Sequence, residues 1–276
     1  MIKDITIGQY FPGRSPVHRM DPRAKLVLTI VFIVLLFVVG NPFGFVVSGA
    51  LLTGCYLAAK IPLKMILKRL KPILPIIIFT GILNLLFIEG ENPIFTWGML
   101  KLSWQGIYTS VVMALRIILL IAGSSLLTYT TSPIALTDAI ERLLSPLRVV
   151  HFPAHELAMM MSIALRFIPT LIEETDKIMS AQKARGADME SGSLRQRAKA
   201  LIPSLIPLFI SAFRRAEELA LAMECRCYHG GEGRTRMKQL KLGRVDLMGS
   251  LVMGAALAAV IALNLTPMPF LDWLRA

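Results

Sequence analysis

The feature that most constrains the fold is the absence of any charged residue between positions 26 and 59. A membrane-spanning helix needs about 20 apolar residues, so this stretch is long enough for two short spans. Gly40-Asn41-Pro42 interrupts it near the middle, and residues of these types favour a turn. We therefore predict a hairpin of two membrane helices with a minimal outer loop. Lys25 and Lys60 flank the hairpin and are expected to snorkel to the lipid interface.

Three further apolar stretches predict spans at residues 72–88, 104–129 and 247–265. The basic, amphipathic residues 62–71 precede the first of these and are expected to lie on the lipid headgroups. Mean hydropathy is +0.62, yet nearly charge-free segments alternate with densely charged ones. This mixture is typical of an integral membrane protein with a sizeable part outside the membrane. The predicted fold is an all-α membrane protein with about five transmembrane helices and long amphipathic helices on its cytoplasmic side.

Basic residues are frequent in the segments that precede the first predicted span and follow the second. The residues concerned are Arg14, Arg19, Arg23, Lys25, Lys60, Lys64, Lys68, Arg69 and Lys71. The other two short connections between spans hold a single basic residue, Lys101. Because basic residues remain on the cytoplasmic side, we predict a multi-pass membrane protein with a cytoplasmic N-terminus. The net charge of +12 follows from this topology, and without a nucleic-acid-binding motif we expect no nucleic acid partner.

We divide the chain into three regions. Residues 1–130 form an N-terminal membrane domain with four spans, residues 131–244 form a cytoplasmic region, and residues 245–276 contain the last transmembrane helix. With five spans, the C-terminus is expected on the outside.

Two long amphipathic helices dominate the cytoplasmic region, and we refer to them as the first arm (Ala154–Ala184) and the second arm (residues 193–228). Apolar residues recur along one side of each at helical spacing, and charged residues interrupt them too often for a membrane span. The first arm ends in Ala184-Arg185-Gly186 and the second in Cys225-Arg226-Cys227. The helix dipole favours an arginine at such an end, where its planar guanidinium can bind acidic partner groups bidentately. These tripeptides, the two tips, are the candidate partner-binding residues.

Several motifs occur in the order found in one transporter family. They are Gly8-Gln9-Tyr10-Phe11-Pro12-Gly13, Val17-His18-Arg19-Met20-Asp21-Pro22-Arg23, Thr130-Thr131-Ser132-Pro133, Leu165-Arg166-Phe167-Ile168-Pro169-Thr170, Ala181-Gln182-Lys183-Ala184-Arg185-Gly186, Ala222-Met223-Glu224 and Gly230-Gly231-Glu232-Gly233-Arg234-Thr235-Arg236. Together they cover nearly the whole chain, which resembles the transmembrane T component of energy-coupling factor transporters, the vitamin and metal importers related to ABC systems.

The resemblance implies a scaffold whose cytoplasmic coupling helices cross each other. It implies that the arginine tips sit in grooves on two ABC-type ATPase subunits, while a small membrane S component binds the vitamin or other micronutrient. The partners expected are therefore these subunits, the S component and membrane lipid, and the expected location is the cell membrane of a prokaryote. A phosphate-binding loop ends in Gly-Lys, and no such dipeptide occurs here. We therefore expect a non-catalytic subunit without cofactors.

The second tip departs from the family pattern, which usually has glycine at the third position. Cys227 occupies that place, and a cysteine adopts the left-handed helix-end conformation less easily than glycine does. Two outcomes are open. Either Cys227 adopts this conformation at a cost, or the second arm ends without such a turn.

A metal site is the main alternative interpretation. His151, His155 and Glu156 resemble a rearranged zinc-protease motif, which suggests a membrane-embedded metal-dependent hydrolase, but Pro153 interrupts the helix that would align them. Cys225, Cys227 and His229 provide fewer than the four ligands that structural zinc requires. We therefore predict no metal.

Arg116 is the one basic residue within a predicted span. It either faces a partner or polar cavity inside the membrane, or lies nearer an interface because the span is shifted. Pro169, Pro203 and Pro207 are expected to kink the arms.

Overall fold

A computed structural model describes residues 10–87, 93–97, 100–150, 152–187, 193–230 and 239–266. These ranges are almost entirely helical, which confirms the predicted all-α membrane fold, with one small antiparallel sheet that helical periodicity did not predict. The elements are α1 (Pro16–Arg19), α2 (Pro22–Val38), α3 (Pro42–Ala59), α4 (Leu63–Leu70), a 3-10 turn (Lys71–Ile73), α5 (Leu74–Phe87), β1 (Pro93–Trp97), β2 (Leu100–Ser103), α6 (Trp104–Thr130), α7 (Pro133–Leu144), a 3-10 turn (Ser145–Val150), α8 (Ala154–Ala184), α9 (Leu194–Glu224) and α10 (Arg244–Leu265).

Contacts group the chain into two compact units. Among the described residues, those within 10–132 and 240–266 form the membrane unit, and those within 133–239 form the arm unit. Each unit has its own packing and is described by itself.

Five helical segments of the described chain are long and apolar enough to cross a membrane, judged by length and composition. They are Pro42–Ala59, Lys64–Phe87, Trp104–Thr130, Ala154–Ala184 and Arg244–Leu265. The number agrees with the sequence prediction, but the set includes α8 and omits α2. Helix α2 has 17 residues, and is about 26 Å long at 1.5 Å per residue. Helix α8 qualifies because its first half carries only Glu156 and Arg166 as charged side chains. That α8 lies in the cytoplasm stays a prediction.

The first hairpin forms where the sequence predicts it. Helix α2 begins at Pro22, and the Asp21 carboxylate accepts a hydrogen bond from the backbone N–H of Arg23. Helix α3 begins at Pro42 directly after Gly40 and Asn41. In both helices proline occupies the first position, where its missing N–H costs no intrahelical bond. The predicted break at Gly40-Asn41-Pro42 is confirmed.

The core of the membrane unit lies between α2, α3, α6 and α10. Its most buried apolar side chains are Phe32, Leu35, Leu36, Val39, Phe45, Tyr56, Ala59, Tyr129 and Val260. At Gly123 on α6, an added Cβ would lie only 2.6 Å from Cε1 of Phe32. Glycine is therefore required for this close approach, as is usual where membrane helices associate through van der Waals packing.

A polar cluster joins the start of α2 to the start of α10. The Asp246 carboxylate accepts the backbone N–H of Asp21 at 2.8 Å and that of Gly243 at 2.6 Å. Arg23 donates from Nη2 to Asp21 at 2.8 Å and to the Leu240 carbonyl at 3.1 Å. Burial tends to raise the pKa of Asp21, but the hydrogen bonds and charge of Arg23 outweigh it and hold that pKa below its usual value.

Lys25 lies close to this polar cluster, near the start of α2. The prediction that its side chain snorkels to the lipid interface is wrong. The residue is 6% exposed, and its Nζ donates to the carbonyls of Thr130 at 2.8 Å and His18 at 3.2 Å. The ammonium therefore links the segment before α2 to the end of α6, instead of reaching out towards lipid.

The arm unit packs α7 against α8 and α8 against α9. Helix α9 starts with a capping box in which Ser193 and Gln196 satisfy each other's backbone N–H groups. Pro169 lies inside α8, and Pro203 and Pro207 lie inside α9, and neither helix is broken at these positions.

Candidate functional site

The first tip is a helix end closed by a left-handed residue. Gly186 has φ of 85° and its N–H donates to the Lys183 carbonyl at 3.0 Å. The N–H of Ala187 donates to the Gln182 carbonyl, also at 3.0 Å. This pair of bonds defines a Schellman motif, in which Arg185 occupies the cap position immediately before the left-handed residue.

The second tip has the same hydrogen-bond pattern. Cys227 has φ of 55°, its N–H donates to the Glu224 carbonyl at 2.8 Å, and the N–H of Tyr228 donates to the Met223 carbonyl at 3.1 Å. Arg226 therefore takes the cap position that Arg185 takes in the first arm. The question left open by the sequence is decided: Cys227 adopts the left-handed conformation, which costs a residue with a Cβ about 1 kcal/mol or more.

All six tip residues, Ala184, Arg185, Gly186, Cys225, Arg226 and Cys227, are exposed. Within the described part of the chain, neither Arg185 nor Arg226 has a side-chain hydrogen bond or ion pair. Each guanidinium thus stands at the negative end of a helix with its donors available. Such a group can bind a carboxylate on another protein without first breaking an internal contact.

The contacts between the arms show where the tips lie relative to one another. Glu174 of α8 contacts Arg215 of α9, and Gln182 further along α8 contacts Pro203 nearer the start of α9. The two helices are therefore antiparallel. Arg185 lies 11 residues beyond Glu174, and Arg226 lies 11 residues beyond Arg215. With a rise of 1.5 Å per residue, the two tips lie at opposite ends, roughly 30 Å apart.

The arm unit therefore has two similar tips, each with an exposed arginine. They lie too far apart for one small binding surface on a partner to contact both. Contacts such as Glu174–Arg215 and Gln182–Pro203 were not predicted from the sequence. The only available signal was Pro207, which leaves the Pro203 carbonyl without its helical N–H partner.

Among the described residues, the alternative metal site is not assembled. His155 Nδ1 lies 2.8 Å from Glu141 Oε1 on α7, while Glu156 is exposed and His151 lies outside the described residues. Among the described residues, no group of three or more His, Cys, Asp or Glu side chains could hold a metal ion. His155 therefore contacts Glu141 across α7 and α8.

Arg116 lies against the first hairpin. Its Nη2 donates to the Val39 carbonyl at 3.2 Å, and its guanidinium carbon lies 5.9 Å and 5.5 Å from the ring centres of Phe37 and Phe45. Val39 caps the end of α2, so the positive charge meets the negative end of that helix. This position favours the interpretation that Arg116 lies towards the end of the neighbouring spans.

Comparison with known proteins gives a consistent result. A family model described as "Cobalt transport protein" (CbiQ) matches residues 13–237. A protein of Ruminiclostridium cellulolyticum named "Energy-coupling factor transporter transmembrane protein EcfT" is 55% identical over 90% of this chain and 92% of its own length. Proteins with the same name from Thermosediminibacter oceani and Bacillus subtilis are 54% and 48% identical, over 92% and 87% of this chain and 95% and 91% of their own lengths.

Proposed function

The chain belongs to the family of energy-coupling factor transporter transmembrane proteins, and on this premise we propose that it couples two ABC-type ATPase subunits to a substrate-binding S component. The ATPases close when they bind ATP, and the arms transmit that movement to the membrane partner. The substrate is a vitamin or other micronutrient, and the S component selects it. This chain contributes no chemistry of its own, in keeping with the absence of a Gly-Lys dipeptide.

The observation that carries this proposal is the pair of matching tips. Arg185 and Arg226 occupy the same position in the same helix-end motif, both are exposed, and antiparallel packing places them at opposite ends of the arm unit. Two equal contacts about 30 Å apart suit two copies of one type of partner, each with an acidic groove. The N-terminus and both arms lie in the cytoplasm in this proposal, where such ATPases have access to ATP.

An exposed apolar face of α9 is evidence for the S component as a partner. Its exposed side chains are Leu201, Ile202, Leu205, Ile206, Phe209, Ile210 and Phe213. A continuous apolar face of this size needs a cover of lipid or of another hydrophobic protein. A small membrane protein such as the S component meets this need.

The test is affinity purification of the tagged chain from its native host, followed by identification of the proteins that accompany it. We expect two ATPase subunits and a small hydrophobic membrane protein. A buried arginine at an interface typically contributes about 2 kcal/mol or more. Arg185→Ala or Arg226→Ala should therefore weaken ATPase binding roughly 30-fold or more at the affected tip, and the two changes to glutamate together should abolish it.

Arg214→Glu is a suitable control, because Arg214 is exposed on α9 at a distance from both tips. It should retain the ATPases, with each variant compared at equal amounts in the membrane. If the Arg185→Glu, Arg226→Glu double variant still binds both ATPase subunits at normal stoichiometry, the tips are ordinary solvated charges and the proposal is wrong.

A further inference from the structure

The first of two polar contacts between the arms centres on a carboxylate. Ser211 Oγ donates to Oε1 of Glu174, and Arg215 Nη2 donates to Oε2 at 3.0 Å. Glu174 projects from α8, while Ser211 and Arg215 lie one helical turn apart on α9. The Glu174 side chain is 22% exposed. Both carboxylate oxygens are thus occupied by donors from the other arm, at a position where solvent competes only partly.

The second contact depends on a proline. Pro207 has no N–H. The carbonyl of Pro203, four residues earlier, therefore receives no helical hydrogen bond from position 207. Gln182 Nε2 of α8 lies 3.4 Å from that carbonyl oxygen and donates to it. The proline therefore creates an acceptor on the side of α9, and the first arm uses it.

The spacing of the contacts is equal on both helices. Glu174 and Gln182 are eight residues apart on α8, and Pro203 and Ser211 are eight residues apart on α9. Eight residues correspond to about 12 Å along a helix. A single contact would let two crossing helices pivot about it, but two contacts separated by this length determine both their angle and their register.

We propose that Glu174, Ser211, Arg215 and the Gln182–Pro203 contact form an inter-arm clamp that sets the separation of Arg185 and Arg226. These are positioning residues, since they act through the tips and do not themselves bind the ATPases. In the conformation described here, the clamp holds the two binding ends at a set distance from each other. Its role in transport rests on the proposed function, but its effect on the distance between the tips does not.

The direct test measures that distance in the isolated chain by electron spin resonance between two spin labels. Ala184→Cys and the native Cys225 place one label beside each arginine, in a chain that also carries Cys55→Ala and Cys227→Gly. With the clamp intact, we expect a narrow distribution centred near 30 Å. Ser211→Ala and Glu174→Gln should broaden it, and Arg215→Glu, which opposes Glu174 with a like charge, should broaden or shift it most.

Two neighbouring positions serve as matched controls. Glu173 and Arg214 adjoin the clamp residues in sequence but are exposed, so Glu173→Gln and Arg214→Ala should leave the distribution unchanged. The exchange of charges in the Glu174→Arg, Arg215→Glu double variant should narrow it again. This rescue would not occur if the single changes merely damaged folding. If Ser211→Ala, Glu174→Gln and Arg215→Glu all give the distribution of the controls, the clamp does not exist.

A second readout links the clamp to partner binding. In complexes purified through the tagged chain, Arg215→Glu should lower the fraction that holds two ATPase subunits several-fold, while each tip still binds one. An unchanged two-subunit fraction alongside a broadened distance distribution would overturn the clamp's role in assembly. If even the unaltered chain brings down no ATPase, the proposed function fails, and the distance measurement still decides whether the clamp exists.

Discussion

At the scale of single residues, the two tips share a backbone motif but have different residues at its left-handed position. Gly186 and Cys227 both have positive φ, at 85° and 55°. Each of them, together with the next residue, donates the same pair of backbone hydrogen bonds. Glycine adopts this conformation without steric cost, whereas the Cβ of cysteine approaches the neighbouring carbonyl. The left-handed turn is therefore the conformation that the residue type favours at the first tip. At the second tip the same turn has a steric cost.

This difference predicts opposite effects for two exchanges. Gly186→Cys should destabilise the first helix end by about 1 kcal/mol. Apart from the adjoining backbone, no atom of the described residues lies within 4 Å of the added Cβ, so this cost is conformational. Cys227→Gly should be tolerated or slightly strengthen ATPase binding. The measurement is co-purification of ATPase subunits with each variant. Equal loss of binding in both variants would show that the left-handed turn does not matter at the tips.

At the scale of elements, the start of α2 is held by interactions that lie far apart in the chain. Asp21 caps α2 and binds Arg23, and its backbone N–H meets Asp246 of α10. Two charged helix starts are thus joined in one buried network. Since hydrogen bonds to charged groups are stronger than neutral ones, this network orients the first span against the last.

The depressed pKa of Asp21 makes the network sensitive to pH. A carboxyl group whose pKa is lower in the folded state stabilises that state above its unfolded pKa, here about 3.8, and loses this contribution as pH falls through the folded value. At pH 7, Asp21→Asn should lower the free energy of unfolding by about 1 kcal/mol or more. The gap between variant and unaltered protein should shrink below about pH 4.

Thermal unfolding of the detergent-solubilised protein at both pH values measures this gap. Asp138→Asn on α7 is the control, since Asp138 is only partly buried and has no hydrogen-bond partner among the described residues. A gap that is the same at pH 7 and below pH 4 would contradict the assigned role of the Asp21 carboxylate.

At the scale of the whole molecule, the orientation in the membrane rests on the distribution of basic residues. Positively charged segments flank the open ends of the first hairpin, and the connection between the third and fourth predicted spans holds Glu89, Glu91 and only Lys101. The positive-inside rule then predicts a cytoplasmic N-terminus and cytoplasmic arms, which is the placement we propose. This placement is required for the tips to reach ATPase subunits.

Accessibility of single cysteines tests the orientation. In a chain whose three native cysteines are replaced by alanine, Glu91→Cys should react with an impermeant thiol reagent applied to intact cells. Gly233→Cys should react only after permeabilisation. Both positions lie outside the described residues, so the expectation follows from the sequence alone. The reverse pattern of labelling would invert the proposed topology.

The sequence by itself determined those features that depend on neighbouring residues. The break at Gly40-Asn41-Pro42, the start of α2 at Asp21-Pro22 and the arginines at the arm ends follow from turn preference, capping and helical period, which act within a few residues. The set of spans was less determined, because α2 and the first half of α8 are close to the length and polarity limits. The sequence did not predict strands β1 and β2 because β1 does not alternate between apolar and polar residues and β2 alternates over only four residues.

Only the tertiary structure decided features that depend on residues distant in the chain. Lys25 was expected to reach lipid, but its Nζ donates a hydrogen bond to the carbonyl of Thr130, 105 residues away in the chain. Glu174 and Arg215 looked like two more charges on amphipathic helices until antiparallel packing brought them together. In both cases a local preference was outweighed by the need of buried or partly buried polar groups to find partners. The left-handed turn at Cys227 is local, but the residue type disfavours it, so the sequence left that conformation undecided.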